Sequence, residues 1–186
     1  EAYLRGLERR RARGLPIDRI ASVASFFVSR LDTALDPLLA QRQPELQGRI
    51  ANANAKLAYQ EYLEIFSGPH FVALREQGAR PQRLLWASTS TKNPAYPDLL
   101  YVDHLIGPDT VNTMPPATYD AFRDHGTVAR TLDEDVENAL ACLSALPELG
   151  IDLGAITDQL EIDGVNAFIQ SFETLLAALE AKTLTV

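Results

Sequence analysis

The stretch Ile20-Ala-Ser-Val-Ala-Ser-Phe-Phe-Val28 is small, β-branched or aromatic at nearly every position and carries no charge, glycine or proline. Such a run is too apolar on both faces to alternate, which predicts a strand buried on both sides, as in a parallel sheet. Leu84-Leu-Trp-Ala-Ser88 reads the same way after Gly78 and Pro81, and Thr110-Val-Asn-Thr-Met114 is a third, weaker strand between Pro108 and Pro115. Helical spacing occupies the rest. One helix is expected over residues 2–13, closed by Gly14 and Pro16, and another over 34–39 after the cap candidates Asp32 and Thr33. Others are expected over 44–66, 70–77, 116–125 and 133–146. Two more, 153–162 and 165–182, form a tail, the second with Phe168, Phe172, Leu175, Leu176 and Leu179 on one stripe. Strands separated by helices predict βαβ units and an α/β fold, with the helical tail packed around the sheet.

Composition narrows the function. The 186 residues are 46% hydrophobic and 23% charged, an ordinary globular balance long enough for one sizeable core. The longest apolar runs are about half of the roughly 20 residues a membrane helix needs, so no membrane partner is expected. Cys142 is the only cysteine, and His70, His104 and His125 are scattered, so neither a disulfide nor a metal site is expected. Cysteine usage of this kind suits a reducing compartment, and the expectation is cytoplasmic. Residues 1–20 hold six arginines against three acids, while from Thr131 onward Lys182 is the only base beside eleven carboxylates. The arginines have no interleaved aromatic residues, and a net charge of −8 repels polyanions, so nucleic acid is not the expected partner. They read instead as the solvated face of the first helix.

In parallel α/β proteins ligands collect at the C-terminal ends of the strands. The first strand ends in Ser25-Phe-Phe-Val-Ser-Arg30-Leu-Asp32, and the second in Ser88-Thr-Ser-Thr-Lys92-Asn-Pro94. The third leads from Asn112 through Pro115 into a helix N-terminus. Hydroxyls, backbone donors and two cations are the equipment for holding a phosphate. Each has a plainer reading: Arg30 pairs with Asp32 or Asp36, and the Ser/Thr run is turn and cap chemistry. Asp103-His104 reads as a solvated helix face. No nucleophile elbow, glycine-rich phosphate loop or zinc motif is present.

The same segments resemble transaldolase. IASVASFFVSRLD (20–32) is similar to the sixth barrel strand of bacterial transaldolases, and the resemblance continues through ANANAKLAYQEY (51–62), RLLWASTSTKNPAYPDLLYV (83–102) and TVNTMP (110–115). It covers residues 2 to about 181 and is closest to the longer branch of actinobacteria and cyanobacteria, some members of which are fused to a glucose-6-phosphate isomerase. The resemblance implies a TIM-type (β/α)8 barrel of the pentose phosphate pathway that needs neither metal nor organic cofactor. Such an enzyme moves a dihydroxyacetone unit from sedoheptulose 7-phosphate or fructose 6-phosphate to an aldose such as erythrose 4-phosphate or glyceraldehyde 3-phosphate. Its chemistry runs through a Schiff base to a lysine on the fourth strand, where a desolvated amine attacks the ketone and the iminium acts as electron sink.

By that resemblance, Arg30 matches the arginine that binds the terminal phosphate, Ser88 a phosphate-contacting serine on strand seven, and Lys92 takes the place of a second phosphate arginine. Lys92 supplies charge without the bidentate fork. Ser25 matches the serine facing the sugar, and Phe27 a phenylalanine lining the same pocket. None of Lys56, Lys92 and Lys182 matches the Schiff-base lysine, so no catalytic residue is expected here. The expectation is therefore strands six to eight of a partial barrel, with residues 1–186 as the C-terminal half and strands one to five before Glu1. That fits a chain whose only methionine is Met114 and whose length falls short of the roughly 250 residues typical of the fold. Alone it is expected to be inactive and to need the N-terminal half. The alternative is a non-catalytic module, derived from transaldolase, that binds a sugar phosphate or a partner chain.

Overall fold

The computed structural model describes residues 1–183. The chain divides into two compact units, Glu1–Ala145 and a second from Leu146 onward. In the first, three strands, β1 (Ser22–Phe27), β2 (Gln82–Ala87) and β3 (Thr110–Asn112), form one sheet in the order β1-β2-β3. Both pairings are parallel, with Ser22 opposite Gln82, Phe27 opposite Ala87, and Trp86 opposite Asn112. All three strands overlap the apolar runs that predict them, although β2 starts two residues before Leu84 and ends before Ser88, and β3 stops at Asn112, two residues short of Met114. The connections are helical: α1 (Ala2–Ala12) precedes β1, and α2 (Ser29–Leu39), α3 (Ile50–Ser67) and α4 (Pro69–Arg75) cross to β2. A short helix, α5 (Leu100–Asp103), joins β2 to β3, and α6 (Pro116–His125) and α7 (Val136–Glu148) follow. A parallel sheet joined through helices is what a piece of an α/β barrel presents.

The first strand departs from expectation. Along β1 half-buried residues alternate with exposed ones, and Val23 and Phe27 are 41% and 40% exposed. One face, bearing Ser22, Ala24 and Phe26, is covered; the other, bearing Val23, Ser25 and Phe27, is open. Composition did not reveal this because both faces are apolar, and side-chain period alone does not say which one is covered.

Among the helices before β2, the largest corrections to the expected boundaries fall at α2 and α3. Helix α2 begins at Ser29, directly after β1, so Asp32 sits in its first turn and not at its cap. Residues 44–49 form a 3-10 turn, Pro44–Leu46, and a second turn ahead of α3, where one continuous helix was expected. Elsewhere α1 turns Leu4 and Leu7 into a cluster with Ile17, Phe71, Leu74 and Ala79, leaving most of its arginines at the surface, the solvated face that their spacing predicted.

Trp86 anchors the sheet's covered side. It is 1% exposed, meets Phe26 edge-on at 5.7 Å, and donates its indole N–H to the carbonyl of Leu105 at 3.1 Å. In the second unit, the expected pair of tail helices is one helix, α8 (Leu153–Thr183). None of its residues is buried, and Phe168 is 65% and Phe172 61% exposed. Among the described residues no single helix is long and apolar enough to cross a membrane.

Candidate functional site

Pairing between β1 and β2 continues past the strands themselves. The Val28 N–H donates to the Ala87 carbonyl at 2.9 Å, and the Ser29 N–H to the Ser88 carbonyl at 3.1 Å. The first turn of α2 is thereby fastened to the residue that leaves β2. Arg30 and Ser88 consequently sit at the same, C-terminal end of the sheet. Ser88 adopts φ +54°, a left-handed conformation in which a side chain costs roughly 1–2 kcal/mol relative to the right-handed one. Such strain persists only where the surroundings impose it, and here the Ser29 bond and the turn into Thr89 do so. Thr89 is fully buried and donates its hydroxyl to Asn112 Oδ1 at 2.9 Å, tying the loop after β2 to the end of β3.

The Arg30 guanidinium lies 4.5 Å from the centre of the Phe27 ring. A cation held over an aromatic face at an exposed site contributes about 0.5–1 kcal/mol, enough to bias the rotamer and too little to consume the fork's N–H donors. Among the described residues Arg30 has no carboxylate partner. Its plainer reading, pairing with Asp32 or Asp36, is not what forms: both acids are engaged elsewhere. Ser25 is exposed two residues before Phe27 on the same open face. Arg30 thus lies over Phe27 and Ser25 shares the open face of β1, while the Ser88 backbone is tied to the residue before Arg30.

Lys92 stands apart from that group. It is exposed, and its Nζ donates to Ser90 Oγ at 2.7 Å. It also lines a groove of ≈ 360 Å³ against α2, whose walls include Thr33, Asp36, Gln47 and Tyr96. Thr33 is three residues beyond Arg30, about 4.5 Å of helical rise, so the ammonium borders the next turn of the helix that carries the guanidinium.

The sequence reading missed a set of groups around α2. Asp32, 1% exposed, accepts the Ala51 N–H at 2.8 Å and the Tyr101 hydroxyl at 2.8 Å. Burial raises its carboxyl to about 6, against the pull of those two donors. One turn on, Asp36 accepts the Gly48 N–H at 3.0 Å and the Tyr96 hydroxyl at 2.6 Å. The two acids thus satisfy orphan donors at and just before the N-terminus of α3, where negative charge is favoured. The one available signal was Asp32 lying beside Leu31 and Leu35, both buried, on an otherwise inward-facing helix. Among the described residues no group of three or more His, Cys, Asp or Glu side chains gathers closely enough to hold a metal ion.

A sequence model of the family described as Transaldolase/Fructose-6-phosphate aldolase matches residues 5–179. The chain belongs to the transaldolase/fructose-6-phosphate aldolase family. Among curated proteins, Transaldolase 2 of Nostoc sp. is 48% identical over 196 aligned residues, covering 97% of this chain and 51% of that protein. The transaldolase of Neisseria meningitidis serogroup A is 52% identical over 178 residues, covering 96% and 50%. That of Thiobacillus denitrificans is 50% identical over 183 residues, covering 96% and 51%. The resemblance read from four sequence blocks is thus borne out across the chain. This transaldolase-family chain spans about half the length of the curated relatives it matches.

Proposed function

We propose that this chain forms the phosphate-gripping side of a transaldolase barrel, contributing strands six to eight to an enzyme that transfers a dihydroxyacetone unit between sugar phosphates. The observation that carries the reading is the fastening of Ser29 to Ser88, which keeps Arg30 and Ser88 at one end of a parallel sheet. There the Arg30 fork takes two oxygens of a terminal phosphate, the Ser88 hydroxyl donates to a third, and Lys92 adds charge from the groove beside α2. Ser25 and Phe27, on the open face of β1, line the path of the sugar.

The nucleophile comes from elsewhere in this reading. No lysine stands on β1, β2 or β3. Lys56 is buried in α3 with its Nζ on the Glu134 carbonyl at 2.7 Å, Lys92 is held by Ser90, and Lys182 belongs to α8. A Schiff base needs an amine beside the ketone carbon, inside the barrel, and the residues that satisfy this requirement stand on strands supplied by the remaining half. The open face of β1, with Val23 and Phe27 two-fifths exposed, supports the same division, because a barrel interior is a packed core.

The test is reductive trapping. The chain is incubated with fructose 6-phosphate and sodium borohydride, and its intact mass is measured. The expected result is no adduct, together with saturable phosphate binding that Arg30→Ala abolishes. A trapped adduct on Lys56, Lys92 or Lys182 overturns the assignment of the nucleophile to the other half.

A further inference from the structure

The groove beside α2 is crossed by one short hydrogen bond, Tyr96 hydroxyl to Asp36 Oδ2 at 2.6 Å. Tyr96 is not isolated in its loop. Its N–H donates to the Asn93 carbonyl at 3.1 Å, and the Ala95 N–H donates to Asn93 Oδ1 at 3.0 Å, so residues 93–96 form a closed turn. Lys92 is the residue immediately before that turn. On the other side, Asp36 shares α2 with Arg30 and is itself held in place. Its second carboxylate oxygen accepts the Gly48 N–H, and its carbonyl accepts Gln47 Nε2 at 3.1 Å.

Gly48 completes the arrangement. It has φ +70°, and a Cβ placed there would come within 2.9 Å of the Tyr96 ring. The backbone is therefore bare where the phenol lies, and only glycine combines that close approach with that conformation. Asp36, Gly48 and Tyr96 make one strut from the helix that carries Arg30 to the loop that carries Lys92.

We propose that Asp36 and Tyr96 are positioning residues for the phosphate, fixing the separation of the Lys92 ammonium from the Arg30 guanidinium so that the two cations grip one phosphomonoester dianion. This rests on the reading of Arg30 and Lys92 as phosphate ligands. An arginine fork binds bidentately by its own shape, whereas lysine is a point charge on a flexible stem. Its contribution depends on where the backbone beneath it is held. Neither positioning residue touches the phosphate.

The experiment titrates the chain with inorganic phosphate as wild type, Tyr96→Phe, Lys92→Ala and the double variant, and measures amide hydrogen exchange at Tyr96 in the first two. Loss of the phenolic hydroxyl is expected to speed exchange of the Tyr96 amide and to weaken phosphate roughly fivefold. In the Lys92→Ala background it is expected to change nothing, because the strut acts through Lys92. Unchanged Tyr96 exchange overturns the strut whatever the binding result, as does an equal loss in both backgrounds. A wild-type chain that binds no phosphate while Tyr96→Phe still speeds exchange overturns the phosphate reading and leaves the strut as a structural tie. Asp36→Asn retains an acceptor and serves as the second variant, with an expected loss smaller than that of Tyr96→Phe.

Discussion

Tyr101 donates its hydroxyl to Asp32 Oδ2 at 2.8 Å with both side chains buried, one of the two acid–tyrosine pairs that brace α2. The pair joins residues 69 apart in sequence. Burial pushes the Asp32 carboxyl up to about 6 and the Tyr101 phenol up as well, the nearby carboxylate adding to the latter.

That shift gives a pH dependence of definite sign. Asp32 holds its proton more tightly folded, at about 6, than unfolded, near 4, so the native state binds more protons between those values. Stability contributed by this group is fully present below pH 4, falls as pH rises to 6, and is flat above. The expected loss is on the order of 2–3 kcal/mol. Urea unfolding of wild type and Asp32→Asn at pH 4, 5, 6 and 7 measures it. The difference between the two proteins should change over that window and not beyond it.

Ser88 separates backbone strain from ligand contact. At φ +54° a glycine is relieved of the Cβ clash, so Ser88→Gly should raise stability by about 1 kcal/mol while weakening phosphate binding. Ser88→Ala should weaken phosphate equally without the gain. Thermal melts and phosphate titrations of both variants check it; equal melting temperatures would mean that the left-handed turn is not strained.

Gly48→Ala should be among the most damaging small substitutions in the chain. The new methyl meets the Tyr96 ring at 2.9 Å on a backbone that disfavours it, a combined cost of roughly 1–3 kcal/mol. Chemical denaturation measures the loss. Tyr96→Ala in the same background should recover part of it by vacating the space.

The two faces of β1 should respond oppositely to charge. Val23→Lys, on the open face, is expected to cost less than about 1 kcal/mol, and Ala24→Lys, on the covered face, several. Circular dichroism melts of the two variants distinguish them. Equal tolerance would mean that neither face is core.

These pairs also mark what was legible beforehand. The strands were in outline, because residues 20–28 and 84–88 are apolar runs rich in aromatic, β-branched or small side chains, and so was their parallel pairing. The cover on β1 was not, since Val23 and Ala24 are both apolar and only a neighbour in space distinguishes their faces. The start of α2 was misread for a similar reason: Ser29 enters the helix because its N–H is held by Ser88, a residue 59 positions later. Arg30, Phe27, Ser25 and Ser88 were found from strand ends and family resemblance together; the structure places Arg30 over the Phe27 ring and ties the Ser88 backbone to Ser29. The tyrosine partners of Asp32 and Asp36 lie 69 and 60 residues away, beyond any local spacing.

Whether Arg30 grips phosphate is reported directly by its side-chain Nε–H resonance. With arginine Nε labelled by ¹⁵N, fructose 6-phosphate is titrated into the chain. A saturable shift of the Arg30 signal, reproduced by inorganic phosphate and weakened in Ser88→Ala, is the predicted result. An Arg30 resonance that stays in place at saturating sugar phosphate would mean that Arg30 is not a phosphate ligand.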